Sequence, residues 1–180
     1  MNENIVQIKS ILNQMRDIFR DARGPRRRRD YMRAVGVRDA DWIYRLGALD
    51  VIEQHIPARV AGPFARAKLF CKLASQIGLS CAVVITANAD DLAMVHDGAD
   101  IFINGFPLIA VNIDGVLRAF NPAHSPLVFV PGTVAVGQTI RSVRHWMPCP
   151  ICAIVPCDEF VQIDSWAKMR ELYLGDGIIS

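Results

Sequence analysis

The first third of the chain has the hydrophobic period of helices. In residues 3–22, apolar side chains recur at alternating steps of three and four, at Ile5, Ile8, Leu12, Met15, Phe19 and Ala22. This heptad pattern predicts a long amphipathic helix over residues 3–22. A second helical stretch is predicted between Asp39 and His55, with Gly47 as a point of division.

A helix that leads into a buried strand is predicted over residues 62–85. Gly62 and Pro63 open the helix, because proline is tolerated in the first turn, and Gly78 suits the left-handed position that ends many helices. The polar face is expected to carry Arg66, Lys68, Lys72 and Gln76. Residues 81–85 then form a short, continuous apolar run, which is typical of a strand buried on both faces.

The remaining pattern is that of strands. Residues 107–113 and 116–120 flank an Asp-Gly pair, which predicts a tight hairpin. A second pair is predicted at 126–130 and 133–136, with shorter strands at 151–155 and 160–163. Asp164 or Ser165 caps a final helix that ends at Gly175. Helices followed by a mainly antiparallel sheet indicate an α+β fold, with a helical region at 1–60 and an α+β core at 61–180.

Composition and charge narrow the class of protein. The chain has 180 residues, of which 52% are hydrophobic and 21% charged, as expected of a folded domain. It has neither an apolar run long enough to predict a membrane span nor a secretory signal at its start. Five cysteines are an odd number, so we expect thiols in a reducing, cytoplasmic compartment, or in an intracellularly assembled particle.

Two N-terminal features bear on partners. The heptad helix is expected to pack on its own domain, and the alternative is a coiled coil or docking helix that joins a protein partner or forms a homo-oligomer. An arginine-rich connector follows at residues 23–29, with Arg23, Arg26, Arg27, Arg28 and Arg29. Because adjacent guanidinium groups repel each other, this connector must be exposed. It is either a solvated linker or a site for nucleic acid or an acidic surface.

Two segments carry a resemblance to a known family. The unit ARAKLFCKLASQIGLSCAVV and the hairpin PLIAVNIDGVLRAFNP resemble the helix, strand and following hairpin of transglutaminase-like domains, which have the papain-type fold. The resemblance implies that fold and a Cys-His-Asp site for acyl transfer. By position, the cysteine falls at Pro63 or Phe64, the histidine at Phe106 and the aspartate at Asn121. Since apolar residues replace both nucleophile and base, it implies a catalytically inactive domain.

A displaced cysteine site is the enzymatic alternative. Cys71 on the long helix and His124 in the loop after the hairpin could form a dyad, and Asn121 could orient the histidine. Such a chain would be a cysteine-dependent hydrolase or acyltransferase. We favour a buried core thiol at Cys71, because its place inside the helix lacks the positive field that activates a thiol.

The cysteines near the C-terminus have metal-ligand spacing. Cys149 and Cys152 are three residues apart, and His145 and Cys157 could complete a tetrahedral zinc site. We favour structural thiols there, because Cys152 and Cys157 lie at or beside an apolar strand, and zinc is the alternative. No other cofactor is predicted.

Together these patterns predict a non-enzymatic binding or assembly module with a transglutaminase-like fold. The alternatives are the cysteine-dependent enzyme and a nucleic-acid-associated protein that uses the arginine-rich connector.

Overall fold

The computed structural model describes residues 1–103, 105–124, 126–141 and 148–175 as an α+β fold. Its helices are α1 Glu3–Asp21, α2 Arg28–Ala34, α3 Trp42–Arg45, α4 Ala48–Glu53, α5 Ala58–Gln76, α6 Ala89–His96, α7 Cys157–Phe160 and α8 Trp166–Leu174. Its strands are β1 Ala82–Thr86, β2 Pro107–Ile113, β3 Val116–Phe120, β4 Thr139–Arg141 and β5 Pro148–Pro156. Across these residues, no helix combines the length and apolar character needed to cross a bilayer.

The strands form one antiparallel sheet in the order β3-β2-β1-β5-β4. β1 lies at its centre, where Val83, Val84 and Ile85 are almost fully buried, so the predicted two-sided burial is confirmed. The hairpin of β2 and β3 is also confirmed, since Ile113 pairs with Val116 across the Asp114-Gly115 turn. Alternate residues of β2 pack into separate core clusters on the two faces of the sheet.

Helix α5 packs on one face of the sheet and is enclosed by other helices. It contacts α1, α3, α4, α7 and β2, and Phe70 packs edge-on against Phe120 of β3 with the ring centroids 5.4 Å apart. Gly62 interrupts the helix with a φ of 67°, a conformation that glycine adopts without strain. A helical turn from Ala58 precedes Gly62, so α5 begins earlier in the chain than the predicted start at Gly62 and Pro63.

The N-terminal helix packs on its own chain. Ile8, Ile11, Leu12 and Met15 are buried, and Ile5, Ile18 and Phe19 pack against the same core cluster. That cluster also contains residues of α5, the sheet and α8, so the predicted helical region and α+β core share one hydrophobic core. The predicted boundary at residue 60 falls inside α5. Ile8, Leu12 and Met15 of the heptad seam thus face the chain's own core, as expected, whereas Ile5, Phe19 and Ala22 are partly exposed.

Lys68 differs from its predicted place on the polar face of the helix. Its side chain is 3% exposed, and its Nζ donates to the carbonyl oxygen of Tyr44 and to that of Ile163, the latter at 2.6 Å. The three residues belong to α5, α3 and the segment before α8. A buried ammonium is tolerated when carbonyl oxygens replace its hydration, so Lys68 joins three distant parts of the chain.

Several predicted strands are wrong. Residues 126–130 and 133–136 do not pair with each other. Residues 126–130 instead approach β3, through an isolated bridge between Phe129 and Phe120 and a bond from the Val130 N–H to the Ala119 carbonyl oxygen at 2.8 Å. Residue 160 ends the short helix α7, and residues 161–163 form the turn that follows it. The chain leaves the sheet after Pro156, so no strand forms here. Helix α6 and strand β4 were not predicted. The final helix is confirmed, with Ser165 as its N-cap and Gly175 at its end.

We predict that Ile8→Ala lowers the free energy of unfolding by about 2–5 kcal/mol, because Ile8 has no exposed surface and its removal leaves a cavity. Chemical denaturation measures this change. Val6→Ala on the same helix is the matched control, since Val6 is 50% exposed and should change stability by less than about 0.5 kcal/mol. Equal, small effects of both changes would contradict the packing of α1 on its own domain.

Lys68 predicts a pH dependence of stability. Burial lowers the pKa of Lys68 to about 8, although Asp164 and Asp50 oppose the shift. Between about pH 8 and the ordinary lysine pKa, the unfolded chain therefore binds more protons, so the free energy of unfolding contributed by Lys68 rises with pH, by up to about 3 kcal/mol. Denaturant titrations at pH 8 and pH 10 should show this gain in the wild type and in Lys72→Met, but not in Lys68→Met. Parallel pH profiles for all three proteins would refute it.

Candidate metal centre

Strand pairing places Cys81 beside Cys157. Ala82 at the start of β1 pairs with Pro156 at the end of β5, so the next residues outward in this register are Cys81 and Cys157. The backbone N–H of Cys157 donates to the carbonyl oxygen of Cys81 at 3.4 Å. Their Sγ atoms lie 3.0 Å apart. The two thiols thus meet at the end of the central strand pair, where the chain turns into α7.

Helix α5 supplies the third thiol. Its last turns run toward Gly78, where the chain reverses into β1, so Cys71 lies on the helix near the start of that strand. The thiol of Cys71 donates to the Sγ atom of Cys157 at 2.7 Å. Cys157 is therefore the central member of a cluster that joins α5, the residue before β1 and α7. We call Cys71, Cys81 and Cys157 the thiol cluster.

The three thiols differ in exposure. Cys71 is 3% exposed and Cys157 is 9% exposed, whereas Cys81 is half-buried. The residues around them are largely apolar, because Cys71 and Cys157 belong to the main core cluster and Cys81 packs against it. Solvent and solutes therefore reach the thiol cluster from the side of Cys81.

Hydrogen bonds within the cluster separate the pKa values of its members. Bonds from Cys157 and Cys71 lower the pKa of Cys81, because they stabilise a thiolate there. The pKa of Cys71 is raised by its hydrogen bonds to Cys157 and Cys81 and by burial. For Cys157, the bond from Cys71 favours the thiolate, but the bond with Cys81 and burial outweigh it and raise the pKa. Of the three thiols, Cys81 is therefore the one whose pKa is lowered and that loses its proton most readily.

The thiol cluster could hold a metal ion. The three Sγ atoms all lie within 4.8 Å of one another. Among the described residues, no other group of three or more histidine, cysteine or acidic side chains brings its ligand atoms so close together. Thiolate sulfur is a soft ligand that zinc and monovalent copper prefer. The three cysteines come from α5, from the residue before β1 and from α7, so a bound ion would cross-link the fold.

The zinc ligands predicted from spacing are not brought together in this way. Cys149 and Cys152 lie within β5 and Cys157 follows its end; at about 3.3 Å per residue, roughly 26 Å of extended chain separates Cys149 from Cys157. Cys152 is half-buried, and burial, with a smaller effect of Cys149, raises its pKa to about 11. His145 lies outside the described residues. Of the predicted set, only Cys157 belongs to the thiol cluster.

The positions matched to the transglutaminase-like site form no catalytic group. Phe64 packs between Tyr44 and Phe160, with ring centroids at 5.0 and 6.4 Å. Phe106 packs against the core cluster on the opposite face of the sheet. Asn121 uses its Oδ1 atom to accept from the backbone N–H of Ala123 at 2.9 Å. The side chain of Asn121 thus stabilises a turn.

The structure also separates the proposed dyad. His124 is exposed and lines a cleft beside Arg66. Arg66 and Cys71 are five residues apart on α5, so their side chains point about 140° apart around the helix. Cys71 faces Cys157 instead of His124.

All five arginines of the connector are exposed. None of them forms an ion pair with another described residue, since the recorded pairs involve Arg20, Arg45 and Lys168. Their binding to nucleic acid or to an acidic surface stays a prediction.

The sequence patterns predict Cys71 and Cys81 as separate core thiols. One signal could have linked them, because a helix that turns back at Gly78 into an adjacent strand brings residues on both sides of the turn close together. No local sequence signal predicts that Cys157 lies beside them, since its position depends on the register between β1 and β5.

Comparison of the chain with known protein families, with curated proteins and with solved structures gives no match.

We predict that Cys81 reacts with an alkylating agent almost equally fast at pH 8 and pH 6, because the cluster keeps it as a thiolate at both values. Cys152 serves as the internal comparison. Its raised pKa of about 11 makes its thiolate fraction, and hence its rate, fall about 100-fold over the same two pH units. Peptide mapping by mass spectrometry gives both rates, and a parallel fall at Cys81 and Cys152 would show that the cluster does not stabilise a thiolate.

Proposed function

We propose that the protein binds one zinc ion through the thiol cluster and acts as a non-enzymatic binding module that this ion stabilises. The three Sγ atoms of Cys71, Cys81 and Cys157 converge, which supports a metal site there. Three sulfur ligands from sequence-distant elements within reach of one point are what a structural zinc site requires.

Charge favours zinc over monovalent copper. Three thiolates carry three negative charges, and the cluster is mostly buried, so the net charge left after metal binding must be small. A divalent ion leaves one negative charge, whereas a monovalent ion leaves two. Zinc also takes a fourth ligand, and the half-exposed side at Cys81 gives access to water for that position.

Zinc binding requires a small expansion of the cluster. A Zn–S distance of about 2.3 Å in a tetrahedron sets the sulfur atoms about 3.8 Å apart. The hydrogen-bonded thiols lie at 2.7 and 3.0 Å, so loss of their protons and rotation of the side chains must move them apart by about 1 Å. Because the ligands must be deprotonated, zinc binding releases protons and strengthens as pH rises.

The absence of a nucleophile and base at the matched catalytic positions supports a non-enzymatic role. Burial of Phe64 among aromatic rings closes the place where a papain-type domain would carry its cysteine. We infer a transglutaminase-like fold from the resemblance of residues 65–84 and 107–122 to that family. Ile8, Leu12 and Met15 of the heptad seam face the chain's own core, so the partner of such a module would dock on other residues.

The test is a titration of the reduced, metal-free protein with Co²⁺, whose thiolate complexes absorb strongly, followed by displacement with Zn²⁺. We predict one equivalent of bound cobalt with a thiolate charge-transfer band. Cys81→Ser should weaken binding by more than about 100-fold, because loss of an outer-shell contact alone costs 10- to 100-fold. Saturation with Zn²⁺ at about 100 times its dissociation constant should add about 2.7 kcal/mol to the free energy of unfolding.

Cys152→Ser is the matched control, because Cys152 is half-buried like Cys81 but lies outside the thiol cluster. It should leave cobalt binding unchanged. Loss of binding in Cys152→Ser and not in Cys81→Ser would transfer the site to the cysteines of β5. Absence of the charge-transfer band in the wild type would reject the proposed metal function.

A further inference from the structure

The thiol cluster combines one accessible sulfur atom with a second sulfur atom at contact distance. Cys81 is half-buried, whereas Cys71 and Cys157 are buried. The Sγ atom of Cys81 lies 3.0 Å from that of Cys157. A small oxidant that reaches Cys81 therefore finds a second thiol directly behind it, which is the arrangement of cysteines that are oxidised reversibly.

The backbone around this pair has the spacing that a disulfide requires. Cys81 and Cys157 follow Ala82 and Pro156 in the antiparallel register of β1 and β5, and the Cys157 N–H donates to the Cys81 carbonyl oxygen. Hydrogen-bonded residues that face each other in such a register have Cα atoms about 5.5 Å apart. A disulfide spans Cα separations of about 4.4–6.8 Å, so bond formation requires only that the two sulfur atoms approach by about 1 Å.

The other cysteines are placed less well for the same bond. Cys149 and Cys152 are three residues apart in the extended strand β5, so about 10 Å separates them, which is beyond the reach of a disulfide. Cys71 contacts Cys157 at 2.7 Å, but an oxidant reaches neither of these two buried thiols as readily as Cys81. Cys81 and Cys157 are therefore the pair that combines access with contact.

Cys71 is also poorly placed to exchange with a disulfide between Cys81 and Cys157. A thiol attacks a disulfide along the line of the S–S bond, and such a line through Cys157 would place the Sγ atoms of Cys71 and Cys81 about 5.7 Å apart. These two atoms lie within 4.8 Å of each other, so the three sulfur atoms are not in line. The disulfide should therefore stay between Cys81 and Cys157.

We propose that Cys81 is a site of oxidation by hydrogen peroxide and that Cys157 converts the product to a disulfide between the two residues. In the first step, the sulfur of Cys81 attacks one peroxide oxygen. An S–O bond forms, the O–O bond breaks, and the second oxygen leaves as water with the thiol proton, so the sulfur is oxidised to a sulfenic acid and the peroxide is reduced.

In the second step, the sulfur of Cys157 attacks the sulfur of the sulfenic acid. An S–S bond forms and the S–O bond breaks, and the departing hydroxide takes up the proton of Cys157. Two thiols and one peroxide thus give one disulfide and two water molecules. This reaction goes beyond the proposed metal function and does not require it. Loss of a bound zinc ion on oxidation, because two of its three sulfur ligands are consumed, is the one consequence that rests on the proposed function.

The test uses the reduced chain with a metal chelator present, so that its result does not depend on metal binding. The protein is treated with hydrogen peroxide, the remaining thiols are alkylated, and an unreduced digest is mapped by mass spectrometry. We expect two peptides joined through Cys81 and Cys157, with the other three cysteines alkylated. In Cys157→Ala, which lacks the second thiol, Cys81 should remain a sulfenic acid that dimedone traps.

Cys152→Ser is the matched control, because Cys152 is also half-buried but lies outside the thiol cluster, and it should form the disulfide at the wild-type rate. Cys81→Ser should form none, and circular dichroism shows whether each variant is folded. Three results would overturn the proposal: no joined peptide from the folded wild type, a disulfide of Cys157 with Cys71 instead, or equally fast formation in urea. A chain that forms the disulfide but binds no Co²⁺ would keep this reaction and reject the metal function.

Discussion

The hydrogen bonds donated by the amino group of Lys68 are the interaction on which the arrangement of the chain depends. This group lies inside the protein and donates to carbonyl oxygens of Tyr44 and Ile163, which belong to the N-terminal helices and to the segment before the last helix. A buried charge without such acceptors would cost several kcal/mol, so the two segments must stay in place around α5. The bond from the Trp166 backbone N–H to the Asp41 carboxylate, at 2.9 Å, joins the same two parts of the chain a second time.

Helix α5 carries both this constraint and the candidate metal site. Cys71 follows Lys68 by three residues, so both side chains lie on neighbouring positions of one helical face. The short helix α7 begins at Cys157, which belongs to the thiol cluster. Ile163, whose carbonyl oxygen accepts from Lys68, lies three residues after the end of α7. The contacts that fix α7 against α5 therefore also determine how close Cys157 comes to Cys71. The pair of helices α5 and α7 thus supports both the fold and the candidate site, and an ion in the thiol cluster would strengthen contacts that Lys68 already makes.

Local patterns were sufficient for elements whose signal is local. The heptad of α1, the Asp-Gly hairpin, the central strand and the capped last helix follow from periodicity and turn chemistry. The local pattern gives a wrong prediction where contacts with distant parts of the chain determine the structure. The pattern predicts Lys68 on the polar surface of the helix, but two carbonyl acceptors hold it in the core. The pattern also predicts a strand at residues 160–163, where the chain ends helix α7 and turns. The thiol cluster depends on a strand register across the whole domain, which spacing along the chain does not encode.

X-ray absorption at the zinc edge of the zinc-loaded protein identifies the atoms that bind the ion. We predict three sulfur atoms at about 2.3 Å and one lighter atom, oxygen or nitrogen, bound to the zinc ion. The sulfur shell should shrink in Cys81→Ser and persist in Cys152→Ser. A first shell of oxygen and nitrogen alone, or a sulfur shell that depends on Cys152, would contradict a metal centre built by Cys71, Cys81 and Cys157.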